Sequence, residues 1–236
     1  MPVTEPTTAT TIPTEGAVAL DLYRDIHKGI RAELFAVTLD VGRADPTDAV
    51  GRAALAAHVG DVMTLLVEHA EHEDHAIGPA LEQHLPELAE HIESDHLALD
   101  ARIAGLRIQA LDAVDVGPGQ ERRTLHRLYL DLASFTGDYL VHQDLEERAV
   151  MPALEAAIGP EAVGAIHGAI VGPMPPEELA RSLAVMVPAM NVDDRTELLG
   201  GMAAGAPPEV FEQVWGLVAT VLDPTDVDAL ARRLGR

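Results

Sequence analysis

The residues of this chain that could do chemistry fall into one short pattern that occurs twice: His69-Ala-Glu-His-Glu73 and His142-Gln-Asp-Leu-Glu146. In each copy a proline stands ten residues after the histidine, at Pro79 and Pro152, and opens the same Pro-Ala-Leu-Glu. Four residues make about one helical turn, so each His/Glu pair projects an imidazole and a carboxylate from one helix face toward one point. Two such pairs can hold two metal ions, with the carboxylates bridging between them.

The elements that must carry these pairs follow from the hydrophobic periodicity, which predicts four long helices. The first runs from about Val18 to Val41, with Leu20, Tyr23, His27, Ile30 and Val37 at three- and four-residue steps, and stops before Gly42. The second runs from about Thr47 to Gln83 and ends at His84-Leu85-Pro86, because a residue before proline is pushed out of helical geometry. The third spans about Pro86 to Leu111, followed by a loop from Asp112 to Gly119, and the fourth spans about Glu121 to Ile158. Pro79 and Pro152 lie inside the second and fourth helices, so a bend or local opening is expected at the same place in both. Short connections favour antiparallel neighbours, hence an all-α, up-down-up-down four-helix bundle.

That hairpin geometry recruits two more histidines. Glu73 and His69 stand about 11 and 15 residues before the turn at His84, and His96 stands 12 after it, so His96 is level with the pair. His27 precedes the end of its own helix by about 14 residues. The candidate metal ligands are therefore His27, His69, Glu73, His96, His142 and Glu146. Any one of these histidines could be an ordinary core residue. Six ionisable groups aimed into one apolar core would be costly without a cation, so the set points to metal where its members singly do not.

The remaining histidines are read differently. His72 and His75 occupy other faces or the rim, His58 is three turns away, and His84, His126 and His167 are expected to be exposed. His91 is off the face of His96, whereas Asp100, four residues after it, is a candidate ligand or supporting residue. Tyr139 and Phe135 precede His142 by three and seven residues and can line the same channel, walled by Val62, Leu65, Leu66 and Ile103. Such an apolar wall suits small gaseous or peroxidic ligands better than large substrates.

Composition narrows the partners. Of 236 residues, 47% are apolar but only 3% aromatic, which with alanine, leucine and acids at helical spacing favours helix over strand. A formal net charge of -23 repels a phosphate backbone and excludes nucleic acid as the expected partner. Cysteine is absent, so any metal is held by nitrogen and oxygen, and a reducing cytoplasm suits the chain. No basic and apolar leader and no apolar run approaching 18 residues is seen, so neither secretion nor a membrane partner is expected. The Thr- and Pro-rich residues 1–16 read as a disordered tail, residues 17–171 as the bundle, and residues 172–236 as a helical C-terminal appendage. Its segments are expected at about Pro176 to Val187, Asp193 to Ala204, Pro207 to Leu222 and Thr225 to Leu234, with Trp215, Phe211, Val214 and Val218 docking it on the bundle.

The order His27, His69-x-x-x-Glu73, His96, His142-x-x-x-Glu146, with both prolines, resembles the hemerythrin-like, or HHE cation-binding, family over about residues 17–160. Tails like residues 172–236 resemble those of actinobacterial members. The resemblance implies a non-haem centre of two iron ions, manganese being the alternative, with His27 and His69 on one ion, His96 and His142 on the other, and Glu73 and Glu146 bridging. Oxygen-carrying members have two histidines four apart on the third helix, where this chain offers only Ile92 or Asp100 beside His96. They also carry an aspartate five after the last histidine, where this chain has Glu146 at four and Glu147 at five. These departures argue against reversible oxygen storage. The family includes peroxide-decomposing proteins of oxidative stress and sensors of oxygen, iron or nitric oxide. The expectation is a di-iron protein handling oxygen, peroxide or nitric oxide, with catalase-like turnover as its enzymatic form. A sensor acting through the appendage and an oxygenase on an organic substrate are the alternatives.

Overall fold

The computed structural model describes residues 18–236; the segment read as a disordered tail lies outside them. Among the described residues every regular element is helical. The bundle region comprises α1 (Arg24–Arg43), α2 (Ala49–Ala76), α3 (Gly78–His84), α4 (Pro86–Val114), α5 (Glu121–Leu145), a π turn (Glu146–Val150), α6 (Met151–Ile158) and α7 (Pro160–Val171). Four further helices follow: α8 (Pro176–Ala189), α9 (Val192–Gly205), α10 (Pro208–Val221) and α11 (Pro224–Leu234).

Local chemistry explains where these helices differ from the periodicity. The first begins at Arg24 rather than Val18, because the Asp21 carboxylate accepts from the backbone N–H groups of Tyr23 and Arg24 and forms a turn there. Asp48 caps α2, accepting from Val50 and Gly51 N–H at 3.0 Å each. The expected second helix is two, α2 and α3, broken at Ile77. Pro79 has no N–H to donate four residues back, and its ring crowds that carbonyl. Pro152 acts more gently: the chain stays helical but widens into the π turn just before it. The helix α7 was not foreseen. Gly159, at φ 82°, breaks the chain by 116° after α6, and Pro160 opens α7 with its φ already set.

In the bundle α1 packs on α2 and α5, and α4 packs on the same two, so the four long helices close a ring. Two apolar clusters fill it. One is built from Ile30, Leu34, Val59, Leu66, Ile103, Leu132 and Phe135 among others. The second gathers Tyr23, Ile77, Leu81, Ile92, Val150, Met151, Leu154 and Val163. Along every long helix the candidate ligands fall between the two: His27 between Tyr23 and Ile30, His69 and Glu73 between Leu66 and Ile77, His96 between Ile92 and Leu99, His142 and Glu146 between Tyr139 and Val150. The helix α2 is long and apolar enough by composition to span a bilayer, with a mean hydropathy of 1.4 over 18 residues. It carries two of the candidate ligands and packs on both α1 and α4, as a core helix does.

Residues 183–230 make a third apolar cluster, including Leu183, Val187, Leu199, Phe211, Val218 and Leu230. The expectation that Trp215, Phe211, Val214 and Val218 dock this region on the bundle is corrected here: they pack into that third cluster, and the Arg236 guanidinium lies 4.6 Å over the Trp215 ring. Docking is done by α8, which lies against α1. The approach is close, because a Cβ built on Gly29 would sit 2.8 Å from Val185 Cγ1. Ion pairs flank the contact, among them Lys28 with Asp194, Arg24 with Glu197 and Arg181 with Glu68.

Candidate metal centre

Each helix of the ring delivers its imidazole to the polar layer between the two apolar clusters, and all six candidate ligands are buried there, from fully buried His27 to His69 at 8% exposure. The ring nitrogens His27 Nε2 and His69 Nε2 face each other at 3.1 Å. His69 Nε2 is 3.0 Å from Glu73 Oε1, and His142 Nε2 is 3.2 Å from Glu146 Oε1, the two one-turn pairs read from the sequence. Across the layer, Glu73 Oε2 lies 3.4 Å from His96 Nε2 and Glu146 Oε2 lies 3.4 Å from His27 Nε2. Each carboxylate therefore stands between the His27/His69 pair and the His96/His142 pair. Two overlapping groups meet the proximity a metal needs: His27, His69 and Glu73, and Glu73, His96, His142 and Glu146.

The donor chemistry fits a cation. All four oxygens of Glu73 and Glu146, and His96 Nε2, are buried without a hydrogen bond of acceptable geometry. Buried carboxylates left so are among the most costly groups in a core, and a hard cation satisfies them directly. Imidazole and carboxylate together suit iron, manganese or zinc.

Three of the imidazoles are held from behind, by Glu147, which the sequence reading marks only by its place five after His142, and by Asp74 and Asp95, which it does not mark as supporting residues. His27 Nδ1 bonds Glu147 Oε1 at 3.0 Å, and Arg31 Nη1 donates to the same oxygen at 2.7 Å. His96 Nδ1 bonds Asp74 Oδ1 at 2.8 Å, and His142 Nδ1 lies 3.4 Å from Asp95 Oδ2. With Nδ1 donating to a carboxylate, Nε2 is left free to face the centre, the arrangement that orients histidine ligands and raises their basicity. For two of these acids a signal was present: an acid follows the histidine of each repeated pair by five residues, Asp74 after His69 and Glu147 after His142. Each serves a histidine on a neighbouring helix, which local spacing does not show. Asp100, a candidate ligand or supporting residue from its spacing, is exposed and makes no such bond.

The π turn begins at Glu146. Consecutive residues of an ordinary helix diverge by about 100°, and the wider turn reduces that angle. Glu146 and Glu147 accordingly both reach His27, one at each ring nitrogen.

Without a cation, protons gather on the imidazoles. Burial disfavours a charged His27, but its bond to Glu147 and the nearby Glu73 and Glu146 carboxylates outweigh this and push its pKa up to about 9. Burial likewise opposes, and Glu73 and Asp74 overcome, the rise of His96 to about 9. His142 is raised by Glu146 against the same opposition. Burial acts to raise Glu73, yet the His69 charge and the closeness of the His27, His69 and His96 ring nitrogens hold it well below the usual carboxylate range. Against its burial, Glu147 is brought down to about 2 by His27 and Arg31. The layer is thus built to hold positive charge, and an incoming metal ion would displace those protons.

Two tyrosines flank it. Tyr23 packs its ring 5.2 Å from His27, and Tyr139 packs 5.8 Å from His142 and 5.7 Å from Phe135, each buried. Val62, Leu66 and Ile103 are buried as the wall requires, whereas Leu65 is half-buried and faces a cavity. His84, His126, His75 and His167 are exposed. His72 is half-exposed, with its Nε2 2.9 Å from Glu178 Oε1 on α8.

Among known families, the sequence model described as Hemerythrin HHE cation binding domain matches residues 18–163. No curated protein and no solved structure matches the chain.

Proposed function

Since the chain belongs to the hemerythrin HHE cation-binding family, we propose that its polar layer holds two iron ions in a four-helix bundle of up-down-up-down topology. His27 and His69 would ligate one ion, His96 and His142 the other, and Glu73 and Glu146 would bridge them, manganese being the alternative metal. The observation that carries this is the placing of each carboxylate between the two histidine pairs, within 3.4 Å of an imidazole nitrogen on either side. Two irons so held would supply reversible redox chemistry and a place for oxygen, hydrogen peroxide or nitric oxide to bind.

The chain's own part is to keep that position dry and its ligands fixed. Leu66, Val62 and Ile103 exclude water on one side and the Tyr23 and Tyr139 rings close the ends. Glu147, Asp74 and Asp95 hold three imidazoles with Nε2 inward. Such a dry, small site favours disproportionation of hydrogen peroxide to water and dioxygen over chemistry on a large substrate. The reading extends to residues 17–171 as the metal-binding unit and to a reducing, cytoplasmic setting, which the absence of cysteine supports.

The test is the metal content of protein from iron-supplemented cells, with the ultraviolet-visible spectrum before and after peroxide. About two irons per chain and an oxo-bridge absorption that responds to peroxide are expected. Protein that takes up no metal on reconstitution would overturn the assignment. A second reading, a sensor acting through residues 172–236, is favoured by the His72–Glu178 contact, which links α2, the helix of His69 and Glu73, to α8. It expects the protease sensitivity of that region to change on metal loading.

A further inference from the structure

The His69 side of the polar layer does not end in packed core. A cavity of about 200 Å³ lies against it, bounded by α1, α2, α7, α8 and α9. His69 and Glu73 stand on its bundle side. Its other walls carry Met174, Met186, Met202, Leu179 and Leu198, side chains that are only half-buried although they belong to the interior of the contact between bundle and appendage. Three flexible, polarisable thioethers on one wall suit an occupant of adaptable shape.

We propose that this cavity is a binding site for a small, neutral, predominantly apolar molecule, held next to the His27/His69 half of the metal centre and closed by the C-terminal region. Size sets one limit: an apolar cavity of roughly 150 Å³ accommodates a benzene ring, so this one takes a one- or two-ring molecule and no cofactor-sized ligand. Charge sets the other. Acids border the cavity, and each faces a donor or a base: Asp21 the Tyr23 and Arg24 N–H groups, Asp25 Arg24, Glu68 Arg181, Glu178 His72, and Glu73 the imidazoles of His27, His69 and His96. Each bordering carboxylate thus already faces an N–H group or a base, which weakens its pull on an added organic cation, and the acidic border repels an anion. The appendage thereby gains a role that the metal layer by itself does not require, since α8 and α9 complete the wall that α7 begins.

The methionines report on this directly. In metal-free, full-length protein with 13C-methyl methionine, titration with indole is expected to shift the Met174, Met186 and Met202 methyl signals saturably. Met63 and Met151, fully buried in the bundle clusters, should stay unmoved. Benzoate and benzylammonium should bind at least tenfold more weakly. Ser182→Phe, which fills the cavity from α8, should weaken indole at least tenfold, and Met202→Phe serves if that variant does not fold. Absence of a saturable shift, equal shifts at all methionines, tighter binding of either ion, or indole affinity unchanged in a folded filling variant would overturn the proposal. Because no metal is present, these outcomes are separate from those that decide the iron assignment.

Discussion

The two halves of the polar layer look alike in ligand type and differ in what stands behind them. Behind His27 is a half-buried ion pair of Glu147 and Arg31; behind His96 is Asp74, 62% exposed, and behind His142 is Asp95 at a longer 3.4 Å. Behind His69 no such partner is found among the described residues, and the cavity begins there. One half therefore pairs the most rigidly held imidazole with one open to a neighbouring space, while the other pairs two imidazoles backed from the surface. Equal ligands do not make equal ions: the half bordering the cavity is the one where a small molecule could reach the centre.

The largest expected effect comes from removing what the halves share. Glu73 belongs to both ligand groups, so Glu73→Ala should lower metal content from about two ions per chain to one or none, read by elemental analysis after iron loading. His69→Ala, by contrast, should cost one ion and leave the His96/His142 half loaded. If both variants lost metal equally, the division into two halves would fail.

The supporting acids give the next effect. Loss of such a partner typically weakens metal binding about 10–100-fold. Glu147→Ala is expected near the top of that range, because it frees both His27 and Arg31, and Asp74→Ala near the bottom, because solvent already screens an exposed carboxylate. Competition with a chelator measures both, and the reverse order would show that exposure does not set their strength.

These acids also show what could be read from the sequence. The six candidate ligands, the four long helices and most of the appendage's helices are written in periodicity and in a repeated spacing, which are local. The acids at the fifth position were equally visible, but the partner of Asp74 is 22 residues away and that of Glu147 is 120, so only the packed ring pairs them. Pro152 signals a bend or local opening about three turns beyond His142, but not that the helix widens from Glu146 onward and so sends Glu146 and Glu147 to one histidine. The role of Trp215 was misread for a related reason: periodicity marks it as buried without saying against what.

A smaller effect separates the metal-free from the loaded state. In metal-free protein His27 and His96 have folded pKa values of about 9 against 6.5 unfolded. Their contribution to stability is fully present below about 6.5 and lost as pH rises through 9. Glu147 works the other way, present above about 4.5 and lost as pH falls toward 2. Thermal unfolding of metal-free protein should therefore fall between pH 6.5 and 9, and metal-loaded protein, whose ligating imidazoles are already neutral, should not follow it. Parallel curves would mean that the imidazoles do not exchange protons for metal.

The smallest effect tests whether the cavity-bordering half depends on the appendage at all. Gly29→Ala drives a methyl group to 2.8 Å from Val185 Cγ1 and 3.1 Å from the Val185 backbone, so α8 must shift. Overpacking of this kind costs about 1–3 kcal/mol. The same change at Gly60 in α2 meets nothing within 4 Å and should stabilise by about 0.5–1 kcal/mol through helix propensity alone. Gly29→Ala should leave two metals bound, since the ligands lie in the ring, yet raise the protease sensitivity of residues 172–236 and weaken indole. If metal were lost instead, α8 would be holding His27 in place, and the two halves would differ in being supported, not merely approached, by the appendage.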